Sequence, residues 1–260
     1  MGSYQPNILL RLRQTECEHN VHILFAVESG SRAWGFASPD SDWDVRFVYV
    51  HKPEWYFQIA ERKDTIEKMY PDGIDLSGWE LGKALRLFKR SNPSLFEWLE
   101  SPVVYSEDKA FMAKIRKLES RYFNADKAMF HYNHTYKKHY DSYMENYGLP
   151  LKRFMYYLRG VLVCKWLEQH KSVPPVLFEE LVNATVDNGT IKEQIARLLE
   201  LKRQSKEHNM MPVDEQLFGW THEQAEHYDS LVKKLRVENK TNTDEALNRL
   251  YFEAVQSFLH

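Results

Sequence analysis

Apolar positions along this chain fall into two regimes. Up to about residue 105, short apolar runs alternate with stretches at helical spacing; beyond about residue 107, helical spacing takes over. "SYQPNILLRLRQTECEHN" predicts a first helix with Pro6 in its opening turn. "VHILFAVES" (21–29) is an apolar run stopped by Gly30, the mark of a buried strand. "GSRAWGF" fits a turn or helix start, "SPDS" a turn, and "WDVRFVYV" a second, partly alternating strand. "DTIEK" and "IDLSGWE" flank Pro71-Asp72-Gly73 and predict a hairpin, since that tripeptide suits a turn. "LGKALRLFKR" sets Leu81, Ala84, Leu85 and Phe88 at helical spacing, and "NPSLFEWLESP" predicts a short helix capped by Asn92 with Pro93 at its first position.

The second regime contains "EDKAFMAKIRKLE", "ADKAMFHYNHTYKKHYDSYMENY", "LKRFMYYLRGVLVCKWLEQH", "VLFEELVNATV" and "TIKEQIARLLELKRQSKE", all with the spacing of amphipathic helices. Gly148-Leu149-Pro150, Val173-Pro174-Pro175 and Asp187-Asn188-Gly189 punctuate them. Thr221 with Gln224 has the form of a capping box opening a further helix, and "TDEALNRLYFEAVQSFL" predicts the last one. The expected architecture is a small α/β block over 1–106 followed by a helical domain over 107–260, with no internal repeat.

Composition narrows the picture. The chain is 43% hydrophobic, enough for a packed core, and its formal charge is -2. A protein gripping long nucleic acid by its phosphates is usually basic, so a nucleic-acid partner would be short or would meet a local basic face. Cys17 and Cys164 give no disulfide framework and suit a reducing compartment. The apolar runs are too short to span a membrane, the start lacks a signal-peptide core, and Pro6 breaks the myristoylation pattern, so a cytoplasmic location is the expectation.

The chemistry concentrates in "GSRAWGFASPDSDWDVRFVYV" (30–50), which sets Asp42 and Asp44 at the mouth of an apparently buried strand. Carboxylates are costly to desolvate without a positive partner, so the pair either faces water at a strand end or holds a cation. A calcium loop starting at Asp40 is excluded, because its sixth position is Val45 instead of Gly and its twelfth is His51 instead of Glu. A plain solvated turn and a metal pair remain. Alternate strand positions point to one side, so Asp42 and Asp44 can share metal, while Gly30 and Ser31 offer a close-approach backbone and a hydroxyl for phosphates.

Gly-Ser, a spacer and Asp-x-Asp on a strand resemble the minimal motif of the polymerase-beta-type nucleotidyltransferase superfamily. Such a site takes a third carboxylate from a neighbouring strand; Asp75 is the best placed, ahead of Asp72 and Glu80, with Asp64 and Glu67 less attractive. "ESGSRAWGFASPDSDWDVRFVYV" with "DLSGWELGKALRLFKRSNPSLFEWLESPVVY" is similar to the predicted nucleotidyltransferases also described as RNA-repair-pathway polymerases of the polymerase-beta type. "LKRFMYYLRGVLVCKWLEQHKSVPPVLFEEL" looks like that family's second block; the tail beyond about 190 matches nothing comparable. The resemblance implies an α+β fold with a mixed-sheet core and a helical domain. It also implies an NTP donor, ATP included, Mg²⁺ with Mn²⁺ as substitute, and RNA as acceptor. Carried over, Asp42, Asp44 and Asp75 would bind metal and act catalytically, Gly30 and Ser31 would contact the triphosphate, and Arg32 would be a phosphate partner.

Other features have a bland reading beside the functional one. Lys152, Tyr156 and Arg159 lie close to one helix face, so Lys152 and Arg159 could reach a triphosphate or merely form a solvated cationic edge. Lys83, Arg86, Lys89 and Arg90 would suit an acceptor strand but equally a solvated face. His131, His134 and His139 lack the further ligands a zinc site needs. Trp34 and Trp43 could stack on a base or brace the loop. The expected reaction is attack of an acceptor hydroxyl, favoured as an RNA 3′ end, on an NTP α-phosphate by a two-metal mechanism. Transfer to a protein side chain or small molecule, or a silent nucleotide- or RNA-binding module, are the alternatives.

Overall fold

A helix whose apolar side carries Ile8 and Leu12 opens the fold: α1 (Gln5–His19) packs beside β1 (Val21–Glu28), in which every residue except His22 is buried. The computed structural model describes residues 5–236 and 244–257. Ser3, Tyr4, Thr243, Phe258 and Leu259, which the pattern assigns to the first and last helices, lie outside the described residues.

After the single-turn α2 (Gly30–Ala33), β2 (Trp43–His51) returns antiparallel to β1, pairing Glu28 with Val45. A second single turn, α3 (Pro53–Tyr56), precedes the expected hairpin: β3 (Thr65–Met69) and β4 (Ile74–Glu80) pair antiparallel across Tyr70–Gly73. β4 then lies parallel to β2, in a register that sets Asp44 opposite Asp75. Gly78 is required there, because a Cβ would come within 2.2 Å of the Phe47 ring. α4 (Leu81–Lys89) and α5 (Pro93–Leu99) follow, the latter capped by Asn92 as the pattern predicts. Glu80 caps α4 from the end of β4, accepting from the backbone N–H groups of Gly82 and Lys83.

β5 (Val104–Glu107) joins the free edge of β1, giving a mixed sheet of order β3-β4-β2-β1-β5. Its core joins Ile8, Leu12, Ile23, Val45, Phe47 and Leu76. α6 (Lys109–Arg116) and the single-turn α7 (Glu119–Tyr122) complete this region. The remaining helices are α8 (Ala125–Glu145), α9 (Leu151–His170), α10 (Phe178–Thr185), α11 (Gly189–Gln204), α12 (Glu215–Val232) and α13 (Glu245–Ser257). No described helix is long and apolar enough to cross a membrane.

The chain forms two compact units, and they do not follow a division at residue 106. The first comprises the described parts of Met1–Ala33, Asp42–Phe123 and Lys240–His260; the second comprises Trp34–Ser41 and the described part of Asn124–Asn239. The first unit therefore keeps α6 and α7, and α13 returns to it, packing on α4, α6 and β2. In the second, α9 is central and packs on α8, α10 and α12. It is buried nearly all round, from Leu151 to Leu167, which corrects the amphipathic expectation for this segment. The capping-box reading of Thr221 is also corrected. Asp214 caps α12, while Thr221 is buried inside the helix with its hydroxyl donating to the Leu217 carbonyl at 2.8 Å.

Candidate active site

The site residues of the first unit gather where β1 ends and β2 and β4 begin. Gly30 has φ +60°, and a Cβ on it would fall 2.4 Å from Asp44 Oδ2. Only glycine relieves both constraints. The Ser29 N–H donates to the Asp44 carbonyl at 2.9 Å, so the Gly-Ser turn is tied to the strand that carries the aspartates. Ser31 is buried within α2, 5% exposed. Arg32 donates from Nε to the Asp42 carbonyl at 2.9 Å and lies over the Trp43 ring, 4.0 Å from its centroid.

Parallel pairing sets the side chains of Asp44 and Asp75 side by side. Like charges held about 5 Å apart at an effective dielectric constant near 20 repel by roughly 3 kcal/mol, so such a pair calls for a cation. Arg46 supplies one. Its Nη2 donates to Asp44 Oδ1 at 2.9 Å and to Asp75 Oδ2 at 2.8 Å; its Nη1 donates to the carbonyls of Asp75 at 3.1 Å and Val45 at 3.2 Å. Asp42 precedes β2 and is exposed, with Gly73 beside it. Among the described residues no three His, Cys, Asp or Glu side chains are placed to hold a metal ion; the carboxylates that converge are Asp44 and Asp75, joined through Arg46. The pair itself fits magnesium chemistry, because that ion usually takes one or two carboxylates and completes its shell with water and phosphate. The cationic guanidinium on these two oxygens shows that they already point at one positive centre.

Glu28 braces the site from behind. It is 1% exposed, accepts from the Asp44 N–H at 2.8 Å and from the Tyr105 hydroxyl, and its carbonyl accepts from Ser101 Oγ at 2.6 Å. Burial pushes its carboxyl up to about 7, against the hydrogen bonds from Tyr105 and Asp44 and the charge of Arg32; the Asp44 charge adds to the rise.

Sequence reasoning missed Arg46 and Glu28. The period of two that aligns Asp42 with Asp44 also puts residue 46 on that strand face, and Glu28 is the one carboxylate inside a buried apolar run. The second-choice carboxylates are engaged elsewhere. Asp72 pairs with Arg11, whose Nη1 lies 2.6 Å away; Glu80 caps α4 and accepts from the hydroxyls of Tyr56 and Tyr251; Asp64 pairs with Lys83 and Arg86.

Lys152 and Arg159 belong to the second unit. Lys152 Nζ pairs with Glu207. Arg159 is 3% exposed and its guanidinium lies 4.1 Å from the Trp34 ring centroid, so it occupies the interior of that unit instead of a solvated edge. Trp34 and Trp43 each carry an arginine on one face. In the basic cluster of α4, Lys83 and Arg86 meet Asp64, and Lys89 meets Asp244. His139 packs edge-on against Tyr156, and no described metal-ligand group forms around the α8 histidines.

Comparison with known proteins adds three findings. A model of the RNA repair pathway DNA polymerase beta family matches residues 5–253. The uncharacterized protein YcgL of Bacillus subtilis (strain 168) is 40% identical over 252 residues, which is 97% of this chain and 96% of that protein. A solved structure of a nucleotidyltransferase-like protein from Exiguobacterium sibiricum 255-15 aligns over 96% of this chain and 80% of its own, at 13% identity and a TM-score of 0.31, an overlap too low to argue from.

Proposed function

The chain belongs to the RNA repair pathway DNA polymerase beta family, and on that premise we propose that it transfers a nucleoside monophosphate from an NTP to an acceptor hydroxyl, with an RNA 3′ end as the favoured acceptor. The observation that carries this reading is the convergence of Asp44 and Asp75 from adjacent parallel strands beside the glycine turn at Gly30. Asp44 and Asp75 would hold the divalent metal, with exposed Asp42 as a further ligand in a two-metal arrangement. Bound Mg²⁺ would supply Lewis-acid activation of the acceptor hydroxyl and charge neutralisation at the leaving pyrophosphate.

The chain's own residues do the rest. Gly30 lets backbone approach the phosphates without a side chain in the way, and Arg32, fixed between the Asp42 carbonyl and Trp43, would face their negative charge. Asp75 would take the proton of the attacking hydroxyl. The in-line displacement forms a bond from acceptor oxygen to the α-phosphorus and breaks the bond to the bridging oxygen, releasing pyrophosphate. Catalysis would be positioning and charge stabilisation.

The test offers four α-³²P-labelled NTPs with Mg²⁺ and short RNAs to the full chain and resolves RNA and protein on denaturing gels. Label in RNA that is lost with Asp44→Asn and with Asp75→Asn is expected. Label on protein with none in RNA would move the acceptor to a side chain. Equal labelling by wild type and Asp44→Asn would sink the carboxylate mechanism.

A further inference from the structure

Asp44 and Asp75 are not waiting for a cation; they already have one. The Arg46 side chain is 18% exposed, and its fork spends two donors on carboxylate oxygens and two on carbonyls, one of them the carbonyl of Asp75 itself. A guanidinium is always charged and holds carboxylates with a fixed geometry, so Arg46 brings a permanent positive charge to the pair. It comes from the same face of β2 as Asp44, two residues on, and thus sits beside the pair by construction.

We propose that Arg46 is a resident counter-cation that competes with divalent metal for the Asp44–Asp75 pair. The guanidinium occupies Asp44 Oδ1 and Asp75 Oδ2, and its positive charge opposes a second cation drawn to the same two carboxylates. In the unliganded protein Arg46 keeps the two carboxylates convergent and the metal affinity low. The triphosphate brings the additional negative charge and oxygen ligands that tip the balance toward metal. Nucleotide and metal therefore bind together, each weakly without the other. The inference rests on the metal reading of the site, and its test separates the two.

The whole purified chain is titrated with Mn²⁺ as probe, without nucleotide, and free Mn²⁺ is counted by EPR. Arg46→Met keeps the stem and removes the charge; Arg46→Lys keeps the charge and loses the fork. Arg46→Met is expected to bind Mn²⁺ about ten-fold tighter than wild type or better, Arg46→Lys is expected to fall between them, and adding Asp44→Asn to Arg46→Met is expected to abolish the gain. Asp44-dependent binding that is equal or weaker without Arg46 overturns this inference alone. No Asp44-dependent binding in any variant overturns it together with the metal part of the proposed function. A measurement on the wild type holds even if the variants fail to fold. The hydrogen-bonded Arg46 guanidinium signal in ¹⁵N NMR is expected to move when Mg²⁺ and a non-hydrolysable NTP analogue saturate the protein. A signal unchanged at saturation overturns the competition.

Discussion

Glycine 30 concentrates two demands on one residue. Its left-handed backbone would cost a side chain about 1–2 kcal/mol, and a Cβ would press within 2.4 Å of Asp44 Oδ2. Gly30→Ala is expected to lower the urea midpoint and to reduce labelled nucleotide transfer far more than its stability loss explains, because Asp44 must move. Retained transfer would show that Asp44 is not held to its present place. Tyr105 makes a different case. Its hydroxyl donates to a carboxylate that is 1% exposed, so Tyr105→Phe strips a partner from Glu28 while leaving the ring's packing. The expected cost is about 1–3 kcal/mol, read from urea unfolding. A change below a few tenths would mean that water replaces the bond.

At the scale of elements, helix crossing sets a sharper limit than helix propensity. Gly160 in α9 lets α8 approach so closely that a Cβ would lie 2.6 Å from the Cβ of Tyr136. Gly160→Ala improves local propensity yet is expected to destabilise by about 1–3 kcal/mol through overpacking, measured by urea unfolding; a stabilised variant would mean that the crossing yields. Strands β1, β2 and the β3–β4 hairpin were legible because their apolar runs and turn residues are local signals. β5 was not, since of its four residues only Tyr105 is buried and its pairing partner β1 is remote in sequence. Thr221 misled because a hydroxyl with Gln three residues on looks the same in a first turn as in the middle of α12, where burial and Asp214 decide. The Gly-Ser turn and the Asp-x-Asp spacing of Asp42 and Asp44 are local patterns, whereas Asp75 enters only through the family resemblance and its place in the hairpin. That Arg46 joins Asp44 to Asp75 depends on parallel register between β2 and β4, which no local pattern states.

For the whole molecule, the response of stability to pH includes groups of opposite sign, among them one in each of the two units. His139, in the second, is pushed down to about 4 by burial and by the charges of Arg153 and Lys152, while the unfolded chain titrates near 6.5. Between those values the unfolded state binds the proton and the folded state does not, so stability present above 6.5 is lost as pH falls toward 4. Glu119, in the first unit, is pushed up to about 8 by burial and by Glu100, against Arg116, from an ordinary 4.5. Here the folded state keeps the proton longer, so the contribution is complete below 4.5 and is lost as pH rises toward 8. The two limbs can be removed separately. Comparing urea midpoints at pH 5 and pH 8, His139→Gln is expected to gain on wild type at the acid value relative to the alkaline one. Glu119→Gln is expected to do the reverse, since a neutral amide replaces a half-buried carboxyl that must otherwise ionise beside Glu100. Curves that run parallel to wild type at both pH values would mean that these side chains titrate in the folded protein as they do in the unfolded chain, and that the burial seen around them does not exclude water.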